Sequence, residues 1–211
     1  MVSAARRANP GPRAAASAQR REAILAAALE LFLAHGVRAV TIDELRERSG
    51  ASVGSIYHHF GCKEGVAAAL YVDGMRDYQH GFLRELEASA SARAAVEGAV
   101  AYHLAWVERH RELARFLLHH REPELVLATA APLHAANREF FAAVRAWLAE
   151  QSARGALREL ASELYYPLWI APAQEFSRQA LLDGADVQIA AAAPTLGGAA
   201  WLALKPQGGN K

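Results

Sequence analysis

The stretch TIDELRERSGASVGSIYHHFGCK, residues 41–63, decides the fold. Thr41 stands three residues before Glu44, the spacing of a capping box, in which hydroxyl and carboxylate satisfy the free N–H groups at a helix start. Ile42 and Leu45 give the next turn one apolar face, so the spacing predicts a short helix ending near Arg48. Ser49-Gly50-Ala51 breaks it, because glycine reaches the positive φ that a sharp turn needs. Ser52 can cap a second helix through Ile56 and Tyr57 to about His59. Two short helices joined by a three- or four-residue turn containing glycine form the helix-turn-helix unit, whose second helix can lie in the major groove of DNA.

The residue types in that second helix suit a groove. Gly54 and Ser55 are small and let the backbone approach base edges and phosphates. Glycine early in a helix costs about 1 kcal/mol against alanine, so a surface position alone does not favour it. Ile56 and Phe60 are expected in the core. Tyr57 can donate its hydroxyl to a phosphate, as can His58 or His59, one of which is expected only to pack. Adjacent histidines diverge by about 100° on a helix and make a poor metal pair. Lys63 opens the next helix, where its ammonium and the first amides form an anion site.

Thr41-Ile42, Gly50, Ser52, Gly54, Ile56-Tyr57, His59-Phe60 and Lys63-Glu64 together resemble the DNA-binding segment of the TetR family of bacterial transcriptional regulators. With the preceding helix the resemblance covers about residues 20–72. It implies an all-α chain: an N-terminal three-helix DNA-binding domain with a helix-turn-helix, and a C-terminal helical bundle for ligand binding and dimerisation. The expected DNA-binding residues are Thr41, Ser52, Val53, Gly54, Ser55, Tyr57, His58, His59 and Lys63. Gly54, Tyr57 and Lys63 hold the DNA backbone in this reading. Val53, Ser55 and His58 select the sequence; Val53 and Ser55 stand where the family varies, so no base preference is inherited. Arg46 stands where the family has a small residue. Cys62 replaces the usual Ser or Asn cap of the next helix.

Composition sets the frame. The 211 residues are 53% hydrophobic and 21% charged, which is globular rather than disordered. No apolar run reaches the ~18 residues of a membrane span, and the first twenty residues lack the apolar region of a secretory signal. The single cysteine excludes an internal disulfide and fits a reducing cytoplasm. Residues 1–65 carry net charge +3 and residues 66–211 carry −2, which suits one module for a polyanion and another for something else, or arises by chance.

In chain order, residues 1–18 are mostly Ala, Arg, Pro, Gly and Ser and are expected to form a disordered basic arm, either lying along DNA or merely solvated. The helix-turn-helix domain is assigned to residues 19–66, with a bracing helix at 20–35 stopped by Gly36. The effector-binding and dimerisation domain takes residues 67–211. A long helix spans 63–88, with Val66, Leu70, Met75, Tyr78, Phe82 and Leu86 as its apolar positions, and the domain boundary lies inside it. In the family the tilt of this helix carries the switch signal. Further helices are expected at 91–110, 111–120, 132–154, 158–170, 172–182 and 194–204, with a looser segment past Pro123 and an interruption at Pro167.

The C-terminal part carries no phosphate loop, no metal-ligand spacing and no nucleophile elbow. His119-His120 with Glu122 does not converge on one point, so no metal and no cofactor is expected. Its aromatics and histidines are core or the wall of an effector pocket, as the resemblance implies for these helices. The pocket candidates are Tyr102, His103, Trp106, Phe116, His120, Phe140, Phe141 and Trp147. Residues 162–182 combine apolar residues with a polar rim, the pattern of a subunit interface or of packing within the chain. In the family the last two long helices pair into a four-helix bundle, which makes Leu164, Tyr165, Leu168, Trp169, Phe176, Arg178, Gln179 and Leu182 the interface candidates.

The resulting expectation is a cytoplasmic, non-enzymatic regulator. A homodimer binds a palindromic double-stranded DNA operator and is released by a small-molecule effector. An all-α enzyme would need titratable groups that converge in a cavity, with Tyr102, His103 and His120 as the only candidates. A helical protein-interaction module would leave the motif at 41–63 without a use.

Overall fold

The protein is described from a computed structural model, which covers residues 11–119, 123–182 and 187–206. These form α1 (Pro12–His35), α2 (Ile42–Ser49), α3 (Val53–Phe60), α4 (Lys63–Ala88), α5 (Ala92–Arg109), α6 (Arg111–His119), α7 (Pro123–Ala153), α8 (Ser162–Trp169), α9 (Ala171–Leu182), a 3-10 turn (Ile189–Ala192) and α10 (Ala193–Leu204). No strand occurs among the described residues. The chain divides between Leu70 and Tyr71 into two compact units, and α4 runs through the division.

In the first unit, Ile24, Ala28 and Phe32 of α1 meet Leu45 of α2, Ile56 of α3 and Val66 of α4 in a core from which water is shut out entirely. Fully burying a side chain such as Leu or Ile contributes about 1.5–3 kcal/mol, which offsets the poor stability of eight-residue helices in isolation. Thr41 makes the capping box: its backbone N–H donates to Glu44 Oε2 at 2.7 Å, and Glu44 N–H donates back to Thr41 Oγ1 at 3.2 Å. Hydrogen bonding to Thr41 holds the Glu44 carboxyl below its ordinary pKa. Gly50 ends α2 at φ 68°, a left-handed conformation in which Cβ would crowd the backbone.

The arm expected over residues 1–18 is too long, because α1 already begins at Pro12. Proline fits the first helical turn, and the alanines behind it have the highest helix propensity. Residues 1–10 lie outside the described residues.

The turn between α3 and α4 is held by backbone proximity. A Cβ on Gly65 would lie 3.1 Å from the carbonyl carbon of Phe60 and closer still to its oxygen, so the position admits only glycine without a backbone shift. Cys62 caps α4 through sulfur, accepting from the N–H of Gly65 at 3.3 Å.

The second unit is built on α5. Val96, Ala99, Val100 and Leu104 are fully buried, facing α9, α10 and the 3-10 turn, where Ile189 and Leu204 are equally sealed. Two glycines of α4 serve as sockets. Gly81 receives the ring of Tyr102 from α5, and Gly74 receives Leu113 from α6. Trp106 Nε1 donates to Asp77 Oδ2 at 2.8 Å, and Trp169 Nε1 donates to the Val96 carbonyl at 3.0 Å.

Two helix limits differ from expectation. α7 starts at Pro123 rather than Pro132, since a first-turn proline loses no hydrogen bond. α8 starts at Ser162 rather than 158, because the Tyr165 hydroxyl holds the preceding loop: it donates to the Arg158 carbonyl at 3.1 Å and accepts from Leu160 N–H at 3.3 Å.

Candidate DNA-binding surface and ligand cavity

In α3 the Ser52 hydroxyl accepts from Ser55 N–H at 3.1 Å. That cap leaves Val53, Gly54, Tyr57 and His58 exposed. These positions lie three and four apart and form one helix face. Ile56, fully buried, anchors the opposite face. Tyr57 is 51% exposed, so its phenol stands free for a partner. Around Gly54 a Cβ would meet nothing within 4 Å, which leaves open space for a close approach. Ser55 is half-buried.

Three expected contacts have competing roles. The Thr41 hydroxyl donates to Glu44 Oε2 at 2.8 Å, so it is engaged in the cap. Lys63 Nζ donates to the Arg38 carbonyl at 2.9 Å; its other two protons remain for a phosphate. His59 is half-buried and packs edge-on against His58 at 5.3 Å. Burial, followed by the charges of His58, Arg21 and Arg20, lowers its pKa, so it is the packing histidine of the pair and His58 is the exposed one. Arg46 is spent on Asp43 and Glu47, and Arg48 on Glu30.

The second unit encloses a cavity of about 470 Å³, within the range of small-molecule sites. His103, Trp106, Phe140 and Phe141 stand in its wall; Tyr102, Phe116 and Trp147 do not. Tyr102 fills the socket at Gly81 and donates to the Tyr78 carbonyl at 3.1 Å. Burial and the Asp77 carboxylate push its phenol up to about 12. Phe116 is fully buried and packs on Tyr71. Trp147 stacks on Trp169 at 5.7 Å. His120 lies outside the described residues, as does Glu122.

The expected pocket residues include none from α4, whose Met75, Tyr78 and Phe82 stand in the sequence reading as apolar positions. Tyr71, Met75, Tyr78, Gln79 and Phe82 all line the cavity. A usable signal was Gln79, an amide set inside an apolar stripe. The buried polar groups are neutral. Burial pushes the His103 imidazole down to about 4, against a smaller opposing effect of the Ala173 carbonyl, and burial raises the Tyr78 phenol. The phenol therefore donates to His103 Nδ1 at 3.0 Å, and the Nε2 proton is left for the Ala173 carbonyl, with Ser177 Oγ 3.4 Å away. Among the described residues, His103 thus has both ring nitrogens occupied, and Tyr102 stands outside the cavity wall. Among the described residues no cluster of His, Cys, Asp or Glu could hold a metal ion, and no helix is long and apolar enough to cross a membrane.

The interface candidates separate by face. Tyr165 and Trp169 are 7% and 3% exposed; they are packed inside their own chain, which corrects their assignment to a subunit surface. Leu168, Phe176 and Arg178 are half-buried, and Gln179 is exposed. Arg178 forms a two-pronged pair with Glu175, whose carboxyl is held down to about 2 by the hydrogen bonds of Arg178 and Gln179. Leu164, Tyr166, Leu182 and Leu202 of α8–α10 are 45% to 64% exposed.

Capped α2, the glycine turn and α3 with its open face define the first unit as a helix-turn-helix DNA-binding domain. Residues 24–70 match the model of the bacterial regulatory proteins of the tetR family. The HTH-type transcriptional repressor KstR2 of Rhodococcus jostii is 37% identical over 82 residues. That match takes 38% of this chain and spans only 40% of the relative's length. Among solved structures, the fatty acid degradation regulator FadR from Bacillus halodurans superposes with TM-score 0.75 at 16% identity, over 91% of this chain and 96% of its own. FadR from Bacillus subtilis, in complex with stearoyl-CoA, gives 0.71 at 17% identity, over 85% and 96%. At these identities the likeness is one of fold, and it extends through both units.

Proposed function

We propose that the protein is a ligand-responsive transcriptional regulator, a repressor that binds a palindromic operator as a homodimer in the cytoplasm and has no catalytic role. The observation that carries this reading is that α4 starts behind the recognition helix and also lines the cavity. A ligand in the cavity touches the part of α4 that lies in the second unit, and the same helix begins in the first. Such a ligand can shift DNA affinity by no more than the ratio of its own affinities for the two states. The KstR2 name supports repression, and the stearoyl-CoA complex of the FadR fold-mate supports an effector with an apolar portion. Leu164, Tyr166, Leu182 and Leu202 supply apolar surface for pairing α8–α10 of two copies. Pairing sets two recognition helices about 34–36 Å apart, one turn of DNA.

The test is fluorescence anisotropy with duplexes from the protein's own promoter region. Specific binding is expected at low salt. Tyr57→Phe should weaken it, and Lys63→Ala should also lower the salt slope by about 1. Absence of binding to any promoter-proximal duplex refutes the reading.

A further inference from the structure

The cavity wall contains one buried polar group that the chain itself leaves half-used. Gln79 is 4% exposed and lines the cavity. Its side chain makes a single hydrogen bond, Nε2 to Asn137 Oδ1 of α7 at 2.6 Å. An amide offers two donors and a carbonyl with two lone pairs; here one donor is used and Oε1 has no partner among the described residues. A buried amide with a vacant end is costly in apolar surroundings. The other buried polar groups of the wall have no such vacancy: His103 and Tyr78 satisfy each other, with Ala173 and Ser177 behind them. The lining is otherwise mostly hydrocarbon and aromatic, with Met75, Phe82, Trp106, Phe140 and Leu148 in it, alongside the polar Arg145, Ser162, Glu163 and Gln174.

Resting on the ligand-responsive reading above, we propose that the effector is an uncharged, mostly apolar molecule carrying a hydrogen-bonding group, a hydroxyl or amide, and that Gln79 selects it by bonding that group. Among the described residues the charged members of the lining, Arg145 and Glu163, are both solvent-exposed, so neither is a buried counter-ion, and desolvating an unpaired ion is far costlier than desolvating a hydroxyl. Apolar surface supplies the affinity and Gln79 supplies the discrimination. Because the amide also holds Asn137, the same contact registers occupancy on α4 and α7 together.

The experiment uses the full chain and a matched pair of probes, 4-phenylphenol and biphenyl, which share size and shape and differ by one hydroxyl. Quenching of tryptophan fluorescence reads binding, since Trp106 and Trp169 stand in the wall. The wild-type chain should bind the phenol about tenfold tighter than the hydrocarbon, equivalent to about 1.4 kcal/mol. Gln79→Leu should bring the ratio to one or invert it. The double variant Gln79→Leu/Asn137→Leu removes both partners, leaves no orphaned amide and should behave likewise. A purely structural role for Gln79 would weaken both probes together and leave the ratio unchanged, which overturns the proposal. Equal binding of both probes by the wild-type chain overturns it while the ligand-responsive reading stands. Failure of both probes to bind refutes the cavity as an effector site and the proposal with it.

Discussion

Replacing Gly81 by alanine tests the packing that sets α4 against α5. Alanine in a helix interior is about 1 kcal/mol better than glycine, so helix propensity alone predicts stabilisation. The geometry predicts the opposite. A Cβ at position 81 would lie 2.7 Å from Cε2 of Tyr102 and closer to its Cζ and hydroxyl. The ring is rigid, and its hydroxyl is bonded to the Tyr78 carbonyl at 3.1 Å. Forcing a methyl into such a site costs about 1–3 kcal/mol. The net effect in the wild-type chain is then between about zero and 2 kcal/mol of destabilisation. In a Tyr102→Leu background the clash is gone, and the same substitution should stabilise by about 1 kcal/mol. The double-mutant cycle therefore yields a coupling of about 1–3 kcal/mol. Urea unfolding followed by tryptophan fluorescence is the assay, because Trp106, Trp147, Trp169 and Trp201 all belong to the second unit. Equal stabilisation by Gly81→Ala in both backgrounds would refute the socket.

The remaining predictions use the same signal. His103 has an ordinary pKa of 6.5 and a folded value of about 4, so the unfolded chain binds the extra proton and stability falls as pH drops from 6.5 to 4. The slope attributable to this residue is up to about 1.4 kcal/mol per pH unit; His103→Gln should remove it, and an unchanged slope in the variant contradicts the assignment. Gly65→Ala should reduce duplex affinity, by driving Cβ onto the Phe60 carbonyl behind α3, while the tryptophan-monitored midpoint stays put. Full duplex affinity in that variant would show that the α3–α4 turn has slack.

Much of the fold is legible in the sequence where local chemistry decides it. The bounds of α4 follow from breaks on both sides, and Thr41, Gly50 and Ser52 mark the helix-turn-helix because caps and turns are made by the residues nearest in sequence. The start of α1 is hidden, since a run of alanine has high helix propensity but no apolar contrast to give a period. The cavity is harder to read. Phe116 and Phe140 are equivalent in sequence, yet one is core and the other is wall, because the difference lies in what the neighbouring helices bring opposite them. In α8, Tyr165 and Tyr166 are adjacent, and only the tertiary packing decides that the first is sealed and the second exposed.

Gly74 and Gly81 are seven residues apart, two turns along the same side of α4, and each is filled by a side chain from a different helix. Such a pair works as two detents on one shaft. Sliding α4 along its axis would lift both Leu113 and Tyr102 out of their seats and press them on side chains instead. Rolling α4 about its own axis would unseat them in the same way, because it turns the two glycines away from Leu113 and Tyr102. Any displacement of this part of α4 must therefore carry Leu113 and Tyr102 with it or force them to repack, which ties α4 to α5 and α6 at two points.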